Sequence, residues 1–566
     1  MLLNSIESIG RGLKDLQRFR DIVGVFLKYG YQDLAEALYL PKALKLPIRK
    51  YREEQERLKE VSAPERLRLA FEELGPTFVK LGQILSTRPD FVPPDFIREL
   101  TKLQTGAGAI PYEDVVEVIE AELRGPVSEL FRSVHRRPLG SASIAQVHKA
   151  RLKNGKVVVV KVQRPGIEEK VHIDLEIMEY LATLIEDQVE AWRIHGPVRV
   201  VEEFAKVMRQ ELDFRQEAGH IDRFAWQFED DESVFVPRVY REASTSRLLT
   251  MDYVGGHKFA AIVEEEAVKV GVKDGEELAT KITDLIMRQV FSHGFFHADP
   301  HPGNIHLLED GRICFLDYGM MGFLDERSRE AFVDLVRAIG TRNERNVTSA
   351  LLRMTDRDGE TPRPGLEGEI AAFMHQHLFR PLGELDVGLM LSQLLRITTK
   401  YELRVAPSYF VMLRSLSLTE SIVKKLHPQH DVLGQAGPIL RDIRLRRMNP
   451  LRLGETLLEF GLEVGGLVRE FPAEARRVLN LFKRGDAKFI FHHDGLEPAV
   501  QAWDRVSNRL SFAIVLASLI IGSSLILHAK IPPLWQGIPI IGLVGFLMAA
   551  VMGFMLLIAI IRHGRM

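Results

Sequence analysis

Long apolar stretches without a charge occur only at the C-terminal end of this 566-residue chain. Leu510 to Leu527 reads LSFAIVLASLIIGSSLIL, and Ile538 to Ile561 is a second such run. A helix needs ~20 apolar residues to cross a bilayer core, and buried helices of soluble proteins rarely keep such a run beyond ~14. The pair therefore predicts a transmembrane helical hairpin over residues 505–566. The connector from His528 to Gly537, with Pro532 and Pro533 in it, cannot continue either helix. Arg505 and Arg509 precede the first run, Arg562 and Arg565 follow the second, and Lys530 is the lone cation between them. Positive residues stay inside, so both ends face the cytoplasm, as in a multi-pass protein of the inner (cytoplasmic) membrane. Gly545, Ala549 and Gly553 form a small-residue stripe that either packs the hairpin on itself or pairs two molecules as a homodimer.

The rest of the chain reads as a globular body. Hydrophobic residues at 46% and charged residues at 27% exclude disorder and coiled-coil rod for the bulk. A net charge of −2 removes any global electrostatic case for nucleic acid. One cysteine, Cys314, excludes a disulfide framework and a cysteine zinc cluster. Residues 1–60 have Ile9, Leu13, Leu16, Phe19, Ile22, Val23 and Phe26 spaced for one helical face, with Lys14, Arg18, Arg20 and Lys28 adding charge. That amphipathic segment either packs on the main domain, the preferred reading, or lies on a membrane surface. No basic-then-apolar signal pattern opens the chain, so nothing points to export of the body. Residues 61–112 read as a further helical extension, 113–257 as a small lobe mixing short apolar runs with helices, and 258–500 as a mainly helical larger lobe. The proline-containing stretches 361–364 and 379–382 read as connections inside that lobe.

Three sites carry chemistry. In His297-Ala298-Asp299-Pro300-His301-Pro302-Gly303-Asn304, an aspartate and an asparagine stand five apart. This is the spacing of a kinase catalytic loop, in which the aspartate sits beside the attacking oxygen and the asparagine turns back onto a magnesium ion. Two histidines and an aspartate also allow a transition-metal site, but the glycine and asparagine suit a phosphate–magnesium loop better. Next, Ile313-Cys314-Phe315-Leu316-Asp317-Tyr318-Gly319 is a strand-like run ending in Asp-aromatic-Gly, reached through a turn at Glu309-Asp310-Gly311. Kinases bind magnesium with this aspartate, so Asn304 and Asp317 are expected to converge on one cation. Upstream, Lys161 interrupts the apolar run Val157 to Val162. An unpaired ammonium is costly to bury, so Lys161 either finds an anion or snorkels to water. Glu217 is the candidate partner.

Two features depart from an ordinary protein kinase. No Gly-x-Gly-x-x-Gly precedes Lys161; Pro138-Leu139-Gly140-Ser141-Ala142-Ser143-Ile144-Ala145-Gln146-Val147-His148 stands there instead. Asp317-Tyr318-Gly319 runs almost directly into a helical pattern from Glu326 to Val336, with no Ala-Pro-Glu, and Ala298 replaces the catalytic-loop arginine. The machinery for nucleotide remains, and the platform for a protein substrate is missing.

Together with Lys80-Leu81-Gly82-Gln83, Ser86-Thr87-Arg88-Pro89-Asp90 and Glu211-Leu212-Asp213, these motifs resemble the UbiB/AarF family of atypical kinase-like proteins over most of residues 15–440. The Lys-x-Gly-Gln segment, the alanine-rich nucleotide loop and the Glu-x-Asp motif carry the resemblance. It implies an α+β, two-lobed, protein-kinase-like fold with a helical N-terminal extension and a C-terminal transmembrane hairpin, binding ATP and Mg2+. Carried over, Lys161 pairs with Glu217, Asp299 is the catalytic-loop aspartate, and Asn304 and Asp317 hold the metal. Ala142, Ser143, Lys161, Asp252 and Tyr253 join them in the nucleotide pocket. Lys80 and Gln83 lie across the peptide-binding place, with Lys80 near Glu211 and Asp213, so the pocket is occluded and favours ATPase activity or a lipid substrate. The implied role is support of ubiquinone biosynthesis at the membrane, on isoprenoid quinone precursors and alongside quinone-biosynthesis enzymes. Gly140 for alanine and Tyr318 for phenylalanine are mild departures, and no role is assigned to Gln104 or Thr105. Lys80 and Gln83, three apart after Pro76, share a helical face, and Gly82 allows close backbone approach.

Two other functions compete with a membrane-anchored ATPase. The catalytic loop is also similar to that of aminoglycoside and choline kinases, which phosphorylate small hydroxyl compounds, although those place another acidic residue after the metal aspartate. A non-catalytic nucleotide-dependent scaffold is the third, and retention of Lys161, Asp299, Asn304 and Asp317 argues against it.

Overall fold

The structure, a computed structural model, describes residues 13–32, 58, 60–86, 88, 91–103, 108–189, 196–264, 275–341, 343–355, 365–377, 387–401, 403, 405–432, 435, 437, 438, 497–535 and 538–563. Ile9, Thr87, Pro89, Asp90, Gln104, Thr105, Arg565 and the stretches 361–364 and 379–382 lie outside the described residues. The chain divides into two compact units, Met1–Leu453 and Gly454–Met566.

The first unit opens with α1 (Leu13–Lys28), α2 (Ala63–Leu74), α3 (Pro76–Leu85) and α4 (Pro94–Leu100). Phe19, Ile22, Val23 and Leu27 of α1 are buried in the main core, which settles its amphipathic face as a packing face. The sequence also sets where α2 begins: the Ser62 hydroxyl accepts from Glu65 N, with a proline in the first turn. Farther on come α5 (Tyr112–Leu123), α6 (Ile167–Gln188), α7 (Pro197–Glu211) and α8 (Phe214–Gln227). A buried carboxylate joins these groups. Asp174 on α6 is fully buried; it accepts from Arg18 Nε at 2.6 Å and Nη2 at 3.1 Å, and from Thr77 Oγ1 at 2.6 Å. Arg18 Nη2 also donates to the carbonyl of Leu74. Arg88 adds an ion pair to Glu203 on α7 at 2.7 Å. The extension is thereby held against the helices that flank the site.

The small lobe is an antiparallel sheet of β1 (Phe131–Val134), β2 (Gly140–Ser141), β3 (Ala145–Leu152), β4 (Val157–Gln163) and β5 (Leu248–Asp252). Its order is β1-β3-β4-β5, with β2 paired to β3. The two-residue period of β4 divides its side chains. Val158, Val160 and Val162 pack with Val115, Val118 and Ile119 of α5. Val159 joins the opposite cluster with Leu249 and Met251. Lys161 shares that second face, in register with Val147 and Leu249.

The larger lobe contains α9 (Phe259–Glu264), α10 (Gly275–Met287), α11 (Glu326–Gly340), α12 (Glu344–Arg353), α13 (Leu366–His377), α14 (Val387–Lys400) and α15 (Pro407–Leu426). Two small sheets interrupt the helices and carry the site. One orders β6 (His257–Lys258), β8 (Ile305–Leu307) and β9 (Ile313–Phe315); the other pairs β7 (Phe295–His297) with β10 (Met321–Phe323).

In the second unit, α16 (Glu497–His528) and α17 (Ile540–His563) are joined through a short paired turn at Leu534–Trp535 and Ile538–Pro539. Leu510–His528 is long and apolar enough to cross a membrane, and almost none of it is buried. Among the described residues the second apolar stretch is shorter, Ile540–Met555. The small-residue stripe packs α17 on α16: a Cβ on Gly545 would run into Ser523 Oγ, Gly553 faces Leu516, and Ala549 is buried.

Candidate active site

Strand β4 presents Lys161 to the first turn of α8, and the pairing is bidentate. Lys161 Nζ donates to Glu217 Oε1 at 2.9 Å and Oε2 at 2.7 Å, and lies 3.5 Å from Asp317 Oδ1. Asp213 fixes where α8 starts by accepting from Arg215 N. Burial alone would lower the Lys161 pKa, but the carboxylates of Asp317 and Glu217 outweigh it and hold the ammonium above the ordinary lysine range. Burial pushes Glu217 up to about 7 against the pull of Lys161, and Asp317 adds to the rise. Asp317 lies well below the usual carboxylate range, held there first by Lys161 and also by the N–H of Gly319, at 3.0 Å. Lys80 also acts on Asp317, and Glu211 on Lys161, so three carboxylates face two ammonium groups and leave this cleft short of positive charge.

The loop after β7 is fixed through His297. Its Nδ1 accepts from Asp299 N at 3.2 Å, which leaves Nε2 to donate to the carbonyl of Asp317 at 2.6 Å. Its own backbone is held by Gln289 Oε1 on the N–H and by the Ser415 hydroxyl on the carbonyl. Both ring nitrogens are thus engaged by protein, and burial pushes the imidazole pKa down. This removes His297 from the transition-metal alternative. Asn304 Nδ2 reaches back toward the Asp299 carbonyl at 3.5 Å, and Leu316 N donates to the carbonyl of Asn304, tying the loop to the strand before Asp317. The structure therefore gathers Lys161, Glu217 and Asp317 in direct contact and joins Asp299 and Asn304 to them through His297 and Leu316.

Other expected residues fall in different places. Lys80 forms an ion pair with Glu211 at the end of α7, both largely buried. Asp213 was expected beside Lys80; its carboxylate instead receives Arg215 Nε and Nη2, each at 2.8 Å, while capping α8. Gln83 Nε2 donates to the Leu103 carbonyl. Ala142 lies at the turn between β2 and β3, where its N–H donates to Ala145 O, and Ser143 beside it is buried. Asp252 closes β5, and its carboxylate accepts from the Tyr240 hydroxyl at 2.7 Å and Arg238 N at 3.0 Å. Tyr253 follows with Lys149 Nζ 3.8 Å above its ring.

Sequence reading missed Arg414. From α15 its Nη2 donates to Asp299 Oδ1 at 3.1 Å and its Nη1 to the Gln83 carbonyl at 3.3 Å, binding the candidate catalytic aspartate to the extension. The available signal was a lone cation amid Val411, Met412 and Leu413.

Two predictions belong to this geometry. A Cβ on Gly82 would run into Leu103 Cδ1 and come within 2.8 Å of Phe71 Cδ2. Gly82→Ala is therefore expected to cost ~1–3 kcal/mol of docking by overpacking, read as lower thermal stability and faster proteolysis within 61–103. Tyr318 is completely buried, and its hydroxyl has no hydrogen-bond partner among the described residues. A buried polar group left in that state costs ~1–3 kcal/mol. Tyr318→Phe is expected to raise the unfolding free energy by about 1 kcal/mol; a denaturation midpoint unchanged or lowered would refute it.

A metal fit follows from the donor set. Among the described residues no group of three or more His, Cys, Asp or Glu is placed to hold an ion. Magnesium bound with a nucleotide needs only one or two carboxylates, the rest coming from phosphate and water. Asp317 with the amide oxygen of Asn304, beside an excess of carboxylate charge, fits that requirement.

Comparisons with known proteins agree with the motifs. A family model for the ABC1 atypical kinase-like domain matches residues 102–351, one for the UbiB helical domain residues 370–431, and one for the ABC1/UbiB kinase-like C-terminal domain residues 494–562. A probable protein kinase UbiB of Marinobacter nauticus is 33% identical over 452 residues, covering 78% of this chain and 81% of its own. The Arabidopsis thaliana chloroplastic protein Activity of BC1 Complex Kinase 3 is 33% identical over 444 residues, 77% of this chain and 60% of its own. A Clostridium pasteurianum protein from the hydrogenase 1 5′ region is 34% identical over 502 residues, 89% and 94% of the two chains. Family models across both lobes and the tail, with relatives aligned over most of the chain, lead to one conclusion: this chain belongs to the UbiB/ABC1 family of atypical kinase-like proteins.

Proposed function

We propose that this chain is a membrane-anchored, Mg2+-dependent ATPase that supports ubiquinone (isoprenoid quinone) biosynthesis by acting on or extracting lipid precursors. The observation that carries it is the contact of Lys161, Glu217 and Asp317 in one cleft whose catalytic aspartate is clamped to an extension helix by Arg414. In this reading Lys161 binds the α/β-phosphates while Glu217 holds it in place. Asp317 and Asn304 hold the metal, which when bound neutralises phosphate charge. Asp299 orients the attacking water and takes its proton. Lys80, Gln83, Glu211 and Arg414 sit where a peptide substrate would otherwise lie, which favours water or a lipid as acceptor. Leu510–His528, apolar and almost wholly unburied by its own unit, supports the anchor, and the placement of Arg505, Arg509 and Arg562 supports a cytoplasmic catalytic body.

The test uses the full chain in lipid nanodiscs containing anionic phospholipid. ATP hydrolysis is expected to require magnesium and to rise with anionic lipid or a phenolic quinone-head analogue. Absence of ATP binding in the presence of magnesium refutes the proposal. Transfer of labelled γ-phosphate to a small molecule rather than to water replaces it with the phosphotransferase.

A further inference from the structure

Arg164 lies three residues beyond Lys161, and neither the catalytic motifs nor the occluding set accounts for it. Its guanidinium reaches two separate parts of the chain. Nε donates to the Ala142 carbonyl at 3.0 Å, and Nη2 donates to the Ser141 hydroxyl at 2.7 Å and to the Gly108 carbonyl at 2.8 Å. The Ser141 hydroxyl itself donates to Gly108 at 3.3 Å, and Arg164 N donates to the Ile144 carbonyl at 2.9 Å. Ser141, Ala142 and Ile144 make up the loop expected to close over nucleotide phosphates. Gly108 belongs to the segment leading from the extension into α5, five positions after Leu103, whose carbonyl receives Gln83.

We propose that Arg164 is a positioning residue that couples the N-terminal extension to the nucleotide loop. The proposal rests on the ATP-binding reading above and adds a regulatory link to it. Among the described residues, three acceptors from two segments meet Arg164, and they need several donors in a fixed plane, which a guanidinium supplies and an ammonium does not. A second tie serves as contrast: Gln146 Oε1 accepts from Ile110 N at 2.7 Å, but Gln146 is wholly buried in β3 and anchors the segment to the sheet. Arg164 instead grips the turn, the part of the loop expected to meet the triphosphate. Coupling of this kind is reciprocal: nucleotide that fixes the turn fixes the extension, and release of the extension loosens the turn. The extension already contacts the catalytic end through Lys80–Glu211 and Gln83–Arg414, so Arg164 extends its hold to the phosphate end.

Hydrogen exchange of the full chain in nanodiscs, with and without magnesium and the non-hydrolysable analogue adenylyl imidodiphosphate, tests this. In the unaltered protein the analogue is expected to slow exchange in residues 140–146 and also in 76–86. In Arg164→Lys the loop is still protected at saturating analogue, protection of 76–86 falls at least about fivefold, and the analogue Kd rises about tenfold, the size of one charged hydrogen bond. Ser141→Ala, a milder change, is expected to give the same uncoupling at smaller amplitude if Arg164→Lys does not fold. Loop protection without extension protection in the unaltered protein overturns the proposal, as does extension protection undiminished in both variants. Analogue that binds nowhere in the unaltered protein overturns the ATP reading, and the coupling falls with it.

Discussion

Asp317→Asn is expected to weaken binding of magnesium–ATP by at least about 100-fold, ~2.7 kcal/mol. Asp317 is the carboxylate nearest Lys161 after Glu217, and the Gly319 N–H fixes its orientation. Asparagine keeps a similar shape and an oxygen for Gly319. It loses the formal charge, which a hard divalent cation needs from a protein site offering so few ligands. The charge balance sharpens the sign. With Asp317 neutral, Glu217 no longer feels a second carboxylate and Lys161 keeps its own partner, so the cleft becomes neutral and binding of nucleotide without magnesium is not impaired. Isothermal titration with and without magnesium separates the two. An unchanged magnesium-dependent Kd removes Asp317 from the metal site and weakens the whole ATPase proposal.

How much of this was legible in the sequence depended on whether a residue's partner left a mark in the chain. Lys161 was legible because an ammonium inside a valine run demands an anion, and the bidentate contact with Glu217 meets that demand. The hairpin's small-residue stripe was legible as a packing feature. Its partner was not, because Ser523 and Leu516 look like any other residue of an apolar helix. Glu211 and Asp213 looked equivalent, being two acids in one short motif. Chain direction separates them: α7 ends at Glu211, and Asp213 opens α8, where a cap is needed and Arg215 is close. The partners of Asp252 were hidden for a related reason: its carboxylate turns to Tyr240 and Arg238 N on a neighbouring segment that no local pattern reveals. Arg414 was the largest omission. It stands 115 positions from Asp299 and 331 from Gln83, and contacts of that range follow from the fold alone.

Asp299→Asn is expected to leave nucleotide binding within about threefold while lowering hydrolysis by ~10²–10⁴, the usual weight of a general base. Asp299 touches neither Lys161 nor Glu217 among the contacts described; its backbone is held by His297 and its side chain by Arg414. Asparagine keeps an oxygen for the Arg414 guanidinium, so the clamp to Gln83 survives in weaker form. The Arg414–Asp299 pair is mostly buried, with side-chain exposures of 24% and 21%. Removing a partner from a mostly buried pair costs more than it does at the surface, but asparagine still offers the guanidinium an oxygen, so the fold is expected to hold; a thermal melt within a few degrees of the unaltered protein separates lost activity from unfolding. The same variant separates catalysis from scaffolding. In a strain lacking its own copy, Asp299→Asn is expected to fail to restore quinone levels although it binds nucleotide. Restored quinone with hydrolysis abolished makes nucleotide a structural ligand here and assigns the function to partner organisation. Hydrolysis undiminished by the substitution leaves the water to be activated by another group, and Asp299 becomes an anchor for Arg414 and the extension it holds.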